Sequence, residues 1–298
     1  MNIKLSKSEV LALCRLCTRP ASASQLSQKL GSEASSVSRT IAALKEKGLI
    51  DIDKAGTTKT IRLSMASHAQ RFKLLYDSRP NAKIEKWLSG YAMDILISIS
   101  DGADTGRILK DAGCSRNTLY KMLKAMGGAG VLFWKGGQVK ISDSMLKEFA
   151  TAYADSLQLL IQQQVKGHNI SIRVRKNVVL RTDAKEAPAF FAKTGTKALA
   201  RKGLEALLTS YDDYYFNLNQ KKRELSLEEC FAHSLLLASL KSHSDMPALT
   251  IFFAKNKRKL NLRALKTFAK EYMVEGALDE VRQKTGFYER MREDARAA

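Results

Sequence analysis

The chain has 298 residues, and its 50 Lys and Arg against 30 Asp and Glu give a formal net charge of +20. This length predicts two or three domains, and an apolar fraction of 45% excludes wholesale disorder. The excess of positive charge indicates a polyanionic partner, with a basic protein of ordinary surface as the alternative.

No signal-peptide pattern follows Met1, and no stretch approaches the length of an apolar membrane span. A soluble, cytoplasmic protein without membrane contact is therefore expected. Cys14 and Cys17 have the spacing of a zinc-binding pair, but they lie in a helical pattern where Cys is a small core residue. No second ligand pair follows, so the sequence predicts neither a metal nor a cofactor.

The N-terminal half contains an internal repeat. Val37, Ile41 and Leu44 align with Leu119, Leu123 and Met126 at a constant offset of 82 residues. Both triplets have the spacing of one helix face. In each copy this helix is predicted to end at a glycine, Gly48 or Gly130, where a left-handed residue can stop it.

Each copy is predicted to have the order helix, short helix, third helix and β-hairpin. The first copy has helices at residues 8–17 and 24–30 and strands at 49–53 and 60–63. The second copy has helices at residues 91–100 and 105–112 and strands at 132–134 and 139–141. This is the order of a helix-turn-helix followed by a wing.

Residues 5–64 resemble a MarR-type winged helix, because Ser-Ser-Val-Ser-Arg-Thr-Ile-Ala-Ala-Leu-Lys-Glu-Lys-Gly-Leu-Ile is similar to that family's recognition helix and first wing strand. Residues 89–143 resemble a second, more divergent winged helix. The resemblance implies a DNA-binding transcription regulator that reads duplex DNA through both units. An interaction adaptor, in which the winged helices dock protein, is an alternative.

The third helices are expected to enter the major groove, and the wing tips to lie along the backbone or in the minor groove. The predicted contacts of the first unit are Ser35, Ser36, Ser38, Arg39 and Thr40 on the helix and Lys54, Thr57, Thr58 and Lys59 on the wing. Those of the second unit are Arg116, Asn117, Thr118, Tyr120, Lys121 and Lys124 on the helix, with Lys135 and Gln138 on the wing. An ordinary solvated helix face is the alternative for all of them.

The segment that joins the two units is short. A helix is predicted from residue 65 to residue 76, an interruption at Pro80 and a new helical segment at 83–88. Such a linker would hold the two third helices at a restricted separation. The hypothesis is that one chain reads a bipartite site without dimerising.

The C-terminal half is predicted to be a mixed, mainly helical α/β domain, with α+β as the alternative. A helix at 144–166 leads to strands at 170–175 and 178–180, and two long helical segments follow at 185–210 and 226–241. Ser226 and Glu229 form a capping-box pattern at the start of the last segment. His233 and His243 are ten residues apart without a nucleophile motif, and satisfied or surface histidines are expected there.

This half faintly resembles the C-terminal domains of AbiE-type antitoxins and other nucleotidyltransferase-like proteins. A working nucleotidyltransferase needs a small-residue turn followed by paired acidic residues that hold magnesium. The nearest candidates, Thr194-Gly195-Thr196 and Asp212-Asp213, do not have that form. The domain is therefore expected to have no catalytic activity, although a nucleotidyltransferase-type enzyme stays a second alternative.

Together these patterns predict an α+β protein with five segments. They are a winged helix at 1–65, a linker helix at 66–88, a second winged helix at 89–143, a connecting helix at 144–166 and a C-terminal domain at 167–298. The C-terminal domain is expected to sense a signal, to form a homodimer or to bind a protein partner, and an antitoxin-like autoregulator is included in this interpretation.

Overall fold

The computed structural model of the chain describes residues 3–55, 58–202, 210–240 and 245–297. It is an α+β protein that divides into two compact units, Met1–Gln162 and Gln163–Ala298. Every strand pairing within the described ranges is antiparallel. In those same ranges, the helices lack the combination of length and apolar character needed to cross a bilayer.

The N-terminal unit contains two copies of one succession of elements. The first repeat consists of α1 (Lys7–Thr18), α2 (Ala23–Leu30), α3 (Ala34–Glu46), β1 (Ile50–Ala55) and β2 (Thr58–Leu63). The second repeat consists of α6 (Ala92–Ser98), α7 (Thr105–Ala112), α8 (Arg116–Gly128), β3 (Leu132–Lys135) and β4 (Gln138–Ile141). The predicted order of three helices and a hairpin is therefore observed twice.

The two repeats also share their turns. The short helices α2 and α7 both end at a glycine in the left-handed region, Gly31 at φ 58° and Gly113 at φ 61°. The segment before each short helix bridges the second hairpin strand, through Ala21 with Ile61 and Ala103 with Val139. Each hairpin is thus extended by a third, isolated pairing at an equivalent place.

The third helices end in the same way. At Gly48, with φ 68°, the amide of Leu49 donates to the carbonyl of Leu44 at 3.0 Å. At Gly130, with φ 69°, the amide of Val131 donates to the carbonyl of Met126 at 3.1 Å. A residue with a Cβ is disfavoured at these angles, which is why glycine stops both helices.

Each hairpin is followed by a helix, and these two helices pack against each other. They are α4 (Ser67–Asp77) and α9 (Ser144–Gln162), and the short helix α5 (Glu85–Leu88) lies between α4 and the second repeat. Phe72 of α4 meets Phe149 of α9 edge-on at 5.4 Å between ring centroids. The buried Tyr153 of α9 donates from its hydroxyl to the carbonyl of Ile3 at 3.0 Å. The predicted linker and connecting helices therefore form part of the core of this unit.

The C-terminal unit is a four-stranded antiparallel sheet with helices. Its elements are β5 (Asn169–Val174), β6 (Asn177–Thr182), β7 (Ala192–Thr194), α10 (Gly195–Arg201), β8 (Asp212–Asn217), α11 (Leu227–Leu240), α12 (Met246–Asn256), α13 (Leu262–Glu271) and α14 (Glu275–Ala297). The strand order is β5-β6-β8-β7. The cross-strand partners Val179 and Tyr215 share one apolar core with Phe231, Leu265 and Val281 of the helices. An antiparallel sheet of this kind is α+β, which decides between the two predicted descriptions of this domain, α/β and α+β.

The prediction of one long helix over 185–210 is wrong in the described part of that segment, and residues 203–209 lie outside the described residues. Its first part runs past Pro188 into the strand β7, and α10 begins only at Gly195, whose φ is 70°. Proline and a left-handed glycine both interrupt a helix, and the apolar pattern of this segment did not reveal that. By contrast, α11 begins where predicted, because the amide of Glu229 donates to Ser226 Oγ at 3.1 Å.

Candidate nucleic-acid interface

The first candidate interface is the solvent-facing side of α3. Ser35, Ser38 and Arg39 are exposed and Ser36 is partly exposed, whereas Val37 and Leu44 are buried. Arg39 Nε donates within the helix to the carbonyl of Ser35 at 3.4 Å. Among the described residues the guanidinium of Arg39 has no acidic partner, so its remaining donors are available to a ligand.

Thr40 does not belong to this face. Its side chain is only 8% exposed, and its hydroxyl donates to the carbonyl of Ser36 at 3.0 Å. The predicted stripe Val37, Ile41, Leu44 placed Thr40 outside, but the observed buried positions are Val37, Thr40 and Leu44, and Ile41 is half-buried. The inner face is rotated by part of a turn, because a threonine whose hydroxyl is satisfied by its own helix can be buried.

The hairpin of the first repeat carries a pair of facing lysines. Lys54 and Lys59 are directly opposite each other in the register of β1 and β2, and both are exposed. Like charges in this position repel each other, and an anion between them would relieve the repulsion. Thr57 lies outside the described residues; Thr58 is part of β2, but its side chain is outside them too.

The second candidate interface is the outward side of α8. Arg116, Asn117, Tyr120, Lys121 and Lys124 are all exposed, as predicted from the sequence. Thr118 is partly exposed, and its hydroxyl lies 2.9 Å from that of Ser115. Thr118 thus shares its hydrogen-bonding capacity with the helix cap, which limits what it can offer a ligand.

The two helices differ at their N-caps, a difference that the sequence reasoning missed. Ser115 caps α8, since its Oγ accepts from the amide of Thr118 at 3.2 Å. The equivalent residue of α3 is Glu33, which is exposed and makes no side-chain cap. A negative charge therefore stands at the N-terminus of α3, next to the candidate contacts. The 82-residue offset aligns Glu33 with Ser115 and could have revealed it.

The hairpin of the second repeat exposes aromatic side chains beside its predicted polar contacts. Lys135 and Gln138 are exposed cross-strand partners at the tip. Phe133 and Trp134 precede them in β3 and are 41% and 56% exposed. The sequence pattern placed these two aromatic residues only as strand residues, because alternation alone does not say which side of a two-stranded ribbon is covered.

The connecting segment 66–88 holds the C-terminal end of both third helices. His68 Nε2 lies 2.9 Å from the carbonyl of Lys47, the C-cap residue of α3, and both side chains are buried. Arg79 Nη1 donates to the carbonyl of Ala129, the C-cap residue of α8, at 3.3 Å. The C-cap residues are equivalent in the two repeats, so one segment grips the same point of each helix.

Ion pairs stabilise the surroundings of both C-cap contacts. Lys47 forms a buried ion pair with Glu9 of α1. Arg79 Nε also donates to Asp143 Oδ2 at 2.8 Å, and Asp143 Oδ1 accepts from the amide of Leu146 at the start of α9. A truncation of either basic residue would leave a partly or fully buried carboxylate without its partner.

In the C-terminal unit, Asp212 and Asp213 are both paired with basic side chains, Asp212 with Lys197 and Asp213 with Arg181. Arg181 donates to Asp213 through Nε at 2.7 Å and through Nη2 at 3.1 Å, and to Asp245 through Nη1 at 2.9 Å. Burial raises the pKa of Asp213, although the bonds from Arg181 oppose that rise. Gly195 packs so closely on this carboxylate that a Cβ would overlap it.

His233 is fully buried in the same unit. Its Nδ1 lies 2.8 Å from Thr194 Oγ1, and its ring stacks on Tyr215 at 5.3 Å. Burial lowers the pKa of His233 to about 3, so the imidazole is neutral near pH 7. His243 lies outside the described residues.

Cys14 and Cys17 are helix residues of α1, and Cys17 is buried. Burial raises the pKa of both thiols to about 12, which disfavours the thiolate that a zinc ion requires. The described residues contain no group of three or more His, Cys, Asp or Glu side chains placed to hold a metal ion.

The structure therefore shows two exposed helix faces, one on α3 and one on α8, and each of these helices is followed by a hairpin that carries exposed Lys side chains. It does not bring Thr40 to either face. Compared with known proteins, the chain matches no protein-family model and no curated protein sequence.

Proposed function

We propose that the chain is a transcription regulator that reads duplex DNA through two tandem winged helix-turn-helix units, with α3 and α8 as recognition helices. The observation that carries the proposal is the repetition itself. Two third helices of 13 residues each share their C-cap geometry, precede a hairpin and turn exposed polar and basic side chains outward. A helix of this kind fits the major groove, with the hairpin as a wing against the backbone.

Charge supports the same conclusion. Residues 116–141 contain five basic side chains (Arg116, Lys121, Lys124, Lys135 and Lys140) and no acidic one. Around α3 the lysines of the hairpin tip face each other without a described acidic partner. Phosphate groups would neutralise these charges and release counterions, which is the main source of affinity for DNA.

We further infer that one chain binds a bipartite site. The helices α4 and α9 pack on each other like the two halves of a symmetric dimer interface, and residues 66–88 grip both recognition helices at their C-caps. Once one repeat has bound its half-site, the other repeat would be held at a high effective concentration near the second half-site. The second contact would then cost little additional entropy.

Fluorescence anisotropy with labelled genomic duplex fragments tests the proposal, after footprinting of the tagged protein has supplied the sites. Binding should weaken steeply with salt, and Arg39→Ala together with Lys121→Ala should weaken it by about 10- to 100-fold. Lys221→Ala with Lys222→Ala, which removes two exposed charges from the C-terminal unit, is the matched control. If neither the salt dependence nor the difference between the two double variants is found, the DNA-binding proposal is refuted and the alternative of a protein-docking adaptor is favoured.

A further inference from the structure

The second repeat differs from the first in three exposed aromatic side chains. Tyr120 of α8 is 49% exposed, and Phe133 and Trp134 of β3 are exposed to a similar degree. The residues at the equivalent places of the first repeat are Ser38, Asp51 and Ile52. Exposed aromatic rings are unfavourable in water, and the first repeat has none at the equivalent places, so this difference indicates a ligand for the second repeat.

The surroundings of these rings restrict the ligand. None of the three forms a ring pair with another aromatic residue in the described parts of the chain. They lie within the segment 116–141, where all charged side chains are basic. A second copy of this surface would bring equal positive charge against it, which disfavours self-association through the aromatic residues. A polyanion with flat apolar faces fits both features.

We propose that the second repeat binds nucleic acid with unpaired bases, which stack on Tyr120 and Trp134 while the lysines around them hold the phosphates. The proposal rests on the DNA-binding function proposed above and names the form of DNA that this repeat prefers. Stacking requires that the face of a base is free, and in a duplex that face is covered by its neighbours. The first repeat has Ser38, Asp51 and Ile52 at the equivalent places, so this preference for unpaired bases belongs to the second repeat alone.

The position of Trp134 in the hairpin is consistent with this role. In the register of β3 and β4, Trp134 is opposite the buried Val139, so it lies on the side of the hairpin that packs on the helices. Its indole nevertheless stays more than half exposed, whereas Phe133 projects to the other side. The indole is therefore accessible at the edge between the hairpin and the body of the repeat, where a base that leaves the stack can reach it.

The chain provides its own reporter for the test. It contains two tryptophans, and Trp87 is only 4% exposed whereas Trp134 is 56% exposed. A base that stacks on the Trp134 indole should therefore quench the emission of Trp134 and not that of Trp87. The probe is a deoxythymidine homopolymer of about 12 nucleotides, which cannot pair with itself. It is compared, at equal salt, with a fully paired duplex and with the same duplex that carries a central run of mismatches.

We expect the homopolymer and the mismatched duplex to quench tryptophan emission, and the mismatched duplex to bind more tightly than the same duplex when fully paired. Trp134→Ala and Tyr120→Ala should each weaken binding to unpaired bases by about 5- to 150-fold, and Trp134→Phe should retain most of it. Leu159→Ala, which removes an exposed apolar side chain outside the repeats, should leave it unchanged. The emission of Trp87 and the circular dichroism report whether each variant is folded.

The outcomes separate this proposal from the function on which it rests. If the paired duplex binds through Arg39 while the homopolymer neither binds nor quenches, the stacking proposal is overturned and duplex reading stands. If the homopolymer and the mismatched duplex bind and quench but the fully paired duplex does not bind, duplex reading falls and the stacking proposal stands. Equal losses on all three probes in Trp134→Ala would make Trp134 a duplex contact and would also overturn the stacking proposal.

Discussion

Replacement of Glu33 by serine is expected to increase both the stability of the N-terminal unit and its affinity for DNA. Glu33 is the N-cap residue of α3, with φ −61° and ψ 150°, and its equivalent Ser115 has φ −69° and ψ 155°. Serine fits this backbone without change. It would accept a hydrogen bond from the first turn of α3, as Ser115 does in α8.

The size of each effect follows from this geometry. A serine N-cap contributes about 1 kcal/mol relative to a residue that does not cap, and the lost attraction between Glu33 and the helix dipole costs about 0.5 kcal/mol. The cap outweighs the dipole, and the free energy of unfolding should rise by about 0.5 kcal/mol. Removal of the charge about 7 Å from a phosphate contributes about 0.6 kcal/mol in water, which is a gain in affinity of about threefold at low salt.

The assay is anisotropy at two salt concentrations, with urea unfolding followed by tryptophan emission for the stability. Asp77→Asn is the control, because it raises the net charge by the same amount from the exposed end of α4. The gain of Glu33→Ser should exceed that of Asp77→Asn and shrink with salt. Equal affinities for both variants, with the stability gain present, would refute the placement of the α3 N-terminus beside DNA.

Three further changes test the rest of the architecture. Arg79→Ala should lower the free energy of unfolding by about 2 kcal/mol, because Asp143 loses its partner, and urea unfolding at neutral pH measures it. Burial lowers the pKa of His68 below 6.5, so the unfolded chain binds this proton first as the pH falls. Stability should decline by up to about 1.4 kcal/mol per pH unit below pH 6.5, and His68→Gln should remove that part of the slope in unfolding titrations from pH 7 to pH 5. Gly195→Ala should disrupt the C-terminal unit by more than about 3 kcal/mol, because its Cβ overlaps the carboxylate of Asp213; unchanged hydrogen exchange in β8 would contradict this.

The N-terminal unit was predictable from the sequence to within a few residues. Gly48 and Gly130 fix where the third helices end, and the repeat transfers the order of the elements from one copy to the other. Thr40 was misplaced because a pattern of apolar residues counts threonine as polar, although a helix can satisfy its hydroxyl internally. The positions of local caps can be read from single residues, whereas the rotation of a helix face depends on the packing of its neighbours.

Long-range contacts account for the other differences. His68 and the carbonyl it contacts, that of Lys47, are 21 residues apart in the chain, and Arg79 and the carbonyl of Ala129 are 50 residues apart. No local sequence pattern reveals such contacts. In the C-terminal unit the short strand β7 depends on its pairing with β8, since three residues have no stable extended structure alone. The local pattern of the segment 185–210 therefore does not reveal β7.

Under the proposed function, a chain that carries both DNA-binding units in one folded unit needs no dimerisation before it can bind a bipartite site. Occupancy would then rise with the first power of protein concentration and would be insensitive to dilution below any dimerisation threshold. Under the proposed function, the distance between half-sites would depend on residues 66–88, because this one segment contacts the C-cap residues of both α3 and α8. Changes in that segment would alter which spacing is recognised while leaving the bases read by each helix the same.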